Sequence, residues 1–314
     1  MQEKRNERKR KCKKSMIKLT IFTPTYNRAY ILPKLYESLK EQTNKNFVWL
    51  IIDDGSTDNT EEIVGKWKKN ESTFEINYVK KENGGKNTAI DLSNQICKTD
   101  YIVCVDSDDQ FASEAVEYIY KEIEIADKME DVCGIVTRRA HFDGKPFGKS
   151  WIKDEHESLY FYELGAKYNY WSDTCLVFRT SIAKQYHFPA IKGEKFITES
   201  VYYNQFMYKY KMLASKNIYY YAEYIDDGYT SQGMKLFFKN PKGCLYSIKQ
   251  NLYYARKLKK SLKTRLALSA SYYAWKKVNK IKDEFLDEYK MPFVYKVFGI
   301  MLSPIQIVRY KKKK

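Results

Sequence analysis

Four short apolar runs, each followed by a polar cluster, constrain this chain more than any other feature. Leu19–Phe22 leads into Thr23-Pro24-Thr25-Tyr26-Asn27-Arg28, and Phe47–Ile52 leads into Asp53-Asp54-Gly55-Ser56-Thr57-Asp58. Phe74–Val79 comes shortly before Asn83-Gly84-Gly85-Lys86-Asn87, and Tyr101–Val105 runs into Asp106-Ser107-Asp108-Asp109. Runs of about five or six residues, rich in Ile, Val and aromatics, read as buried strands. Stretches with helical spacing separate them: Ile31, Leu35, Ser38 and Leu39, then Ile63, Val64 and Trp67. The alternation predicts an α/β fold, a parallel sheet with right-handed crossovers, so all four clusters fall on one rim at the carboxyl ends of the strands. Open sheets of this kind bind ligands on that rim, where the strand order reverses.

Residue types give the rim its chemistry. Asp106 and Asp108 leave the fourth run with one residue between them. As long as the extended geometry persists, both side chains point to one face. Adjacent carboxylates repel and raise each other's pKa unless a cation lies between them. Oxygen-only ligation suits Mg2+ or Mn2+, and Mg2+ typically uses one or two carboxylates plus substrate phosphates. No His or Cys accompanies the pair, which argues against zinc. Taken alone, such a pair is a solvated turn capping the helix that starts near Ser113; three further clusters on the same edge favour the cation.

The other clusters are less specific. Ser56 or Asp58, ahead of Thr60 and Glu61, suits the N-terminal cap of the second helix. A cap does not account for the adjacent Asp53 and Asp54, one of which could accept hydrogen bonds from a base N–H and a ribose hydroxyl. Asn83-Gly84-Gly85-Lys86 opens the third helix, where glycines allow close backbone approach and a helix N-terminus favours anions. Its glycine spacing fits neither the phosphate-binding loop of nucleotide triphosphatases nor the dinucleotide fingerprint.

Thr23–Arg28, Asp53–Asp58 and Val105–Asp109, in this order and spacing, resemble the family 2 glycosyltransferases of the GT-A fold. The resemblance is strong over about Lys18–Phe111 and thins out towards Tyr224. It implies a nucleotide-sugar donor and an inverting reaction. It also implies that Pro24 and Tyr26 line a uridine pocket, that Asp54 contacts the base, that Asp106 lies near the ribose, and that Asp108 holds a metal on the diphosphate. Such enzymes need an acidic base from the second half of the chain, and the resemblance puts it at Glu199, with Glu194 as the alternative. Many relatives carry Glu-Asp there, whereas this chain has Glu199-Ser200. Structurally, Thr198 reads as an N-cap and Glu199 as a first-turn residue favoured by the helix dipole. Asp173, in Trp171-Ser172-Asp173-Thr174-Cys175, is a candidate on the acceptor side. Lys86 is a candidate for assisting with the donor.

Composition sets the outer limits. The 314 residues suffice for one large core and an appended region. Cys12, Cys97, Cys104, Cys133, Cys175 and Cys244 lack the spacing of a metal site or a disulfide framework, so a reduced, cytosolic chain is expected. Neither a signal peptide nor a stretch of 18 apolar residues is visible. Residues 1–16 read as a basic disordered arm, with Met16 as an alternative start. Residues 17–111 read as the donor-binding half and 112–234 as the acceptor-binding half. The latter has a helix through Ala115, Val116, Ile119 and Ile123, a strand around Val132–Thr137, and aromatics suited to sugar faces. Asp226-Asp227-Gly228-Tyr229 reads as a lid or a turn, and 235–314 as a basic helical extension.

The net charge of +17 is partly local, in the arm and in Lys311–Lys314. Between Pro292 and Arg309 an apolar stretch carries only Lys296 before its basic end. Pro304 is expected to break it, which leaves an interfacial segment whose lysines meet anionic lipid headgroups. A cytoplasmic enzyme, peripheral on the inner face of the cell membrane, follows as the expectation. Its acceptor would be a cell-surface glycan, teichoic acid or lipid-linked oligosaccharide. Two rival classes remain. A nucleic-acid binder suits the basic charge and tyrosines but not the acidic rim. A Mg2+-dependent phosphohydrolase would use the Asp106/Asp108 pair but leaves the Asp54 cluster unexplained.

Overall fold

The computed structural model describes residues 17–223, 228–282 and 289–314. The basic arm at 1–16 and Asp226-Asp227 of the expected lid lie outside the described residues. Two compact units are distinguished. One holds the described residues up to Asn83 together with Thr88–Tyr186 and Phe206–Glu223; the other holds Gly84–Asn87, His187–Gln205 and the described residues from Gly228 onward.

All four apolar runs are strands: β1 (Leu19–Thr25), β2 (Phe47–Asp53), β3 (Glu75–Lys80) and β4 (Tyr101–Cys104). They lie in the order β3-β2-β1-β4, all parallel. Between them come α1 (Leu32–Lys40), α2 (Thr60–Asn70) and α3 (Lys86–Ile96). In α1, Pro33 sits in the first turn, where its missing N–H costs nothing, and Leu32, Leu35, Tyr36 and Leu39 form the buried stripe. Trp49 stands at the centre of this layer, fully buried, its indole N–H donating to Thr23 Oγ1 at 3.0 Å. Tyr36 stacks on Trp67 with ring centroids 4.4 Å apart, and Phe47 on Phe74 at 4.7 Å.

Register levels the strand ends. Thr25 pairs with Asp53, and Asp53 with Lys80. Backbone bonds carry the alignment into the loops: Asp54 N–H donates to Thr25 O at 2.8 Å, and Lys81 N–H to Asp53 O at 2.9 Å. The expected rim is present.

Beyond β4 the sheet changes character. Next come β5 (Gln110–Phe111), α4 (Ala115–Ala126), β6 (Val132–Ala140), β7 (His156–Leu159), α5 (Phe161–Tyr168) and β8 (Thr174–Arg179). After α6 (Thr180–Ala183) and α7 (Ser200–Met207) follow β9 (Lys211–Ser215) and β10 (Tyr220–Tyr221). β8 runs antiparallel to both β4 and β6, and β10 bridges β6 and β5. Gly134 makes the β6–β8 contact possible, because a Cβ there would lie 2.0 Å from Val177 O.

The second unit carries α8 (Tyr229–Lys239), α9 (Pro241–Lys257), α10 (Leu262–Asn279) and α11 (Phe293–Lys313). One expectation fails here. Pro304 does not break the last segment; α11 continues through it. Proline removes the N–H that would bond the carbonyl four residues back, that of Ile300. Ser303 Oγ donates to Ile300 O at 2.9 Å instead, so that carbonyl is satisfied and the helix survives.

Candidate active site

The first unit presents the rim. Asn27, in the left-handed region at φ 53°, turns the loop after β1 towards the loop after β2. Its N–H donates to Ser56 Oγ at 2.8 Å, and its Oδ1 accepts from Thr57 N–H at 2.8 Å. Asp58 accepts from Ala29 N–H at 3.0 Å and from Thr60 N–H at 3.1 Å. Neither cap candidate is the N-cap of α2, which is Asn59; Asp58 bonds Thr60 in the first turn, and Ser56 laces the loops. Gly55 has φ +88°, and a Cβ there would sit 3.0 Å from Asn83 N, so only glycine suits this turn.

The adjacent carboxylates divide their work. Asp53 is fully buried, accepts from Ser56 N–H at 2.7 Å, and is also bonded by the Tyr78 hydroxyl. Burial and that bond push the Tyr78 phenol far up. Asp53 is thus a fixture of the fold. Asp54 is nearly buried too, with its carboxylate 2.6 Å from Lys81 Nζ. Pro24 is half-buried, and Tyr26 is exposed beside it. Thr25, absent from the expected site, is a signal that sequence reasoning missed. Its hydroxyl is buried at the end of β1 and has no hydrogen-bond partner among the described residues. An unsatisfied buried polar group costs about 1–3 kcal/mol, so this position calls for a ligand atom or a water.

The acidic cluster departs from the expected geometry. β4 ends at Cys104, and the chain then turns, with Asp109 N–H donating to Asp106 O at 3.1 Å. Strand alternation therefore does not align Asp106 with Asp108; a turn positions them. Beneath it lies a network that the sequence did not disclose. The Tyr220 hydroxyl accepts from Asp106 N–H at 3.0 Å and donates to Asp109 Oδ2 at 2.6 Å. The Arg139 guanidinium lies 4.1 Å from the Tyr220 ring centroid and 3.5 Å from Asp109 Oδ2, and its Nε donates to Thr174 O at 3.1 Å. Burial raises the Asp109 pKa, and the Asp106 carboxylate adds to the effect; Arg139 and Tyr220 act the other way.

Arg139→Leu should strand the Asp109 carboxylate. Its side chain is about one-fifth exposed, so we discount the full cost of breaking a buried pair and expect a loss of about 2–4 kcal/mol. Adding Asp109→Asn should recover part of that loss, as a double-mutant cycle in urea unfolding would read. Strictly additive losses would show that the two side chains do not act together.

Does the donor set suit a divalent cation? Among the described residues no group of three or more His, Cys, Asp or Glu side chains could hold a metal. A site of one or two carboxylates completed by ligand phosphates is what Mg2+ and Mn2+ accept, and the turn at Asp106–Asp108 fits it.

The second unit holds Lys86, Glu194 and Glu199. Gly85 has φ +91°, and a Cβ would lie 1.7 Å from Lys195 O, so the backbone contact itself requires glycine. Next to it, Lys86 Nζ lies 2.6 Å from Glu199 Oε1. The Tyr203 hydroxyl donates to Glu199 Oε2 at 2.7 Å. Glu199 immediately precedes α7, and its carbonyl accepts from Tyr202 N–H at 2.9 Å. Glu194 is engaged differently. Its two carboxylate oxygens accept from Lys242 N–H and Gly243 N–H, both at 2.8 Å, and cap α9. Its candidacy as a base has this structural competitor.

Asp173 is exposed in the first unit, where its carbonyl accepts from the Tyr170 hydroxyl at 2.7 Å. Two residues before it, Trp171 is 74% exposed yet anchored. Its indole N–H donates to Asn169 Oδ1 at 2.8 Å, and the ring lies over Gly165, where a Cβ would come within 2.5 Å of it.

Comparison with known proteins decides the family. The model of glycosyl transferase family 2 matches residues 20–188, more than half of the chain. The chain belongs to that family. The matched region contains β1–β4, the rim and the Asp106–Asp109 turn. An uncharacterized glycosyltransferase of Mycoplasma pneumoniae is 33% identical over 147 residues, 45% of this chain and 48% of that protein. Glycosyltransferase GlyA of Streptococcus pneumoniae is 35% identical over 106 residues, 34% of this chain and 15% of GlyA. The chain thus spans half or less of the length of these relatives. Among solved structures, S. aureus TarS 1–349 in complex with UDP superposes with a TM-score of 0.59 at 16% identity, covering 95% of this chain and 92% of that one. A mannosyltransferase of Pyrobaculum calidifontis, in complex with GDP-Man and Mn2+, gives 0.52 at 14% identity, covering 96% and 92%. At such identities these likenesses establish the fold, GT-A, with the helical C-terminal region present here as well.

Proposed function

We propose that this family 2 member is an inverting, metal-dependent glycosyltransferase that moves a sugar from a UDP-sugar to an acceptor hydroxyl. One observation carries this reading: in the family-matched half, the levelled strand ends bring an unpartnered Thr25 hydroxyl, Asp54 and the Asp106–Asp108 turn to one rim. Such a rim suits a nucleoside diphosphate. Pro24 and Tyr26 are assigned to the uracil and ribose faces, Asp54 to the base, Asp106 to the ribose, and Asp108 to the metal. The TarS structures with UDP and with UDP-GlcNAc support a uridine donor. The Pyrobaculum enzyme with Mn2+ supports a divalent ion.

The reaction is a single displacement. Glu199 takes the proton of the acceptor hydroxyl as that oxygen bonds the anomeric carbon; the bond from that carbon to the diphosphate breaks, and the nucleoside diphosphate leaves. Bound Mn2+ or Mg2+ supplies charge neutralisation for the leaving diphosphate. Lys86 serves by holding Glu199 rather than by meeting phosphate, because its ammonium is engaged there. On the acceptor side, Trp171 offers a rigid apolar face for a sugar ring, beside Asp173. We assign the acceptor to the class of cell-surface glycans, teichoic acids or lipid-linked oligosaccharides, and the enzyme to the cytoplasmic face of the membrane.

Incubating the protein with a panel of nucleotide-sugars, with and without Mn2+, tests this. UDP release from one UDP-sugar, dependent on the metal, is the expected outcome. Release of inorganic phosphate from small phosphoesters, with every nucleotide-sugar untouched, would instead establish the phosphohydrolase reading.

A further inference from the structure

The last helix has two unlike faces. On α11, Tyr295, Gly299 and Ser303 recur every four residues and are buried. They form the seam against α10. Ser269 Oγ donates to Tyr295 O at 2.5 Å, and a Cβ on Gly299 would lie 2.3 Å from Ser269 Oγ, so the helices approach as closely as glycine permits. The opposite face is apolar and uncovered. Phe293 is 78% exposed, Met301 66%, Ile305 62% and Val308 56%, with Val294 and Val297 also exposed among them. At about 100° per residue these positions make one continuous stripe. Exposed apolar surface of this extent normally marks an interaction site.

The charges on the helix identify the occupant. From Tyr289 to Lys314 there is no Asp or Glu, while Lys296, Arg309 and Lys311–Lys314 are all cationic. A second copy of this chain would oppose that cluster with an identical one. An anionic surface with an apolar layer beneath it satisfies both features at once. No helix among the described residues is long and apolar enough to cross a membrane. One face of α11 is already committed to α10, so the segment can lie along a bilayer but not through it.

We propose that α11 rests in the plane of an anionic lipid surface, with Phe293, Val297, Met301, Ile305 and Val308 among the acyl chains and Arg309 and Lys311–Lys314 among the headgroups. This deepens the membrane location assigned above, yet it stands on the helix alone. The proposal differs from the expectation drawn from sequence: the segment reaches the interface as an intact helix held by α10, not as a broken one.

Sedimentation of the full chain with vesicles tests it. Vesicles of phosphatidylcholine and phosphatidylglycerol should carry the protein down, and vesicles of phosphatidylcholine alone should leave most of it in solution. The double variant Met301→Glu, Ile305→Glu changes only exposed positions and should abolish sedimentation. Replacing Lys311–Lys314 by Gln should weaken binding roughly 10²–10³-fold, at about 1 kcal/mol per lysine near the surface. Turnover of a soluble donor by both variants should match the parent, so loss of lipid binding is read separately from failure of the transferase reading. Equal sedimentation of the double variant, or equal binding to neutral and anionic vesicles, would overturn the proposal. So would a dimer in solution that the double variant converts to monomer, because that result assigns the face to a second copy.

Discussion

Asp108→Ala is expected to lower metal-dependent turnover of the UDP-sugar at least about 10³-fold. A cation on the leaving diphosphate supplies several kcal/mol of transition-state stabilisation, and each 1.36 kcal/mol is worth about tenfold. The fold should tolerate the change, because the contacts of Tyr220, Asp109 and Arg139 that hold the turn from beneath stay in place. The same variant should therefore unfold at the parent's urea midpoint while its dependence on Mn2+ disappears. A normal rate with the parent's metal dependence would remove Asp108 from the site.

Glu199→Gln should separate binding from chemistry. The amide oxygen can still accept from Lys86 Nζ or the Tyr203 hydroxyl, the two partners seen for the carboxylate, so the start of α7 keeps its geometry. What the amide cannot do is take a proton. General-base catalysis is typically worth about 10²–10⁴-fold, so kcat should fall by roughly 10³ while UDP affinity stays that of the parent. Unchanged turnover would dismiss Glu199. Parallel loss of UDP affinity would show that Glu199 holds the donor instead. Glu194→Gln is the control. With both oxygens of Glu194 on backbone N–H groups of α9, its loss should appear in stability first.

How legible these features were in the sequence depended on how locally each was encoded. Parallel strands covered on both faces read as continuous apolar runs, so β1–β4 and their rim could be located from composition alone. The short strands β5 and β10 have two residues each and carry no periodicity to detect. The network under the acidic turn joins Tyr220 to Asp109, 111 positions away, and nothing local announces such a contact. The placement of the aspartates has a similar root: strand alternation holds only as far as Cys104, and the turn after it positions Asp106 and Asp108. At Pro304 both signals are local: proline removes a helix hydrogen bond, and the neighbouring Ser303 hydroxyl supplies one to the freed carbonyl. Lys86 and Glu199 are each candidates that the sequence alone offers. Their ion pair is not, since it joins segments far apart in the chain.

The most direct test is a crystal structure of the full chain grown with UDP and Mn2+. The expected result is a manganese ion bound by Asp108 and the diphosphate, with the uracil beside Tyr26 and Asp54 and a hydrogen bond to the Thr25 hydroxyl. A rim without UDP, with Asp106 and Asp108 turned into ion pairs elsewhere and the nucleotide bound at another surface or nowhere, would contradict the assignment at its centre.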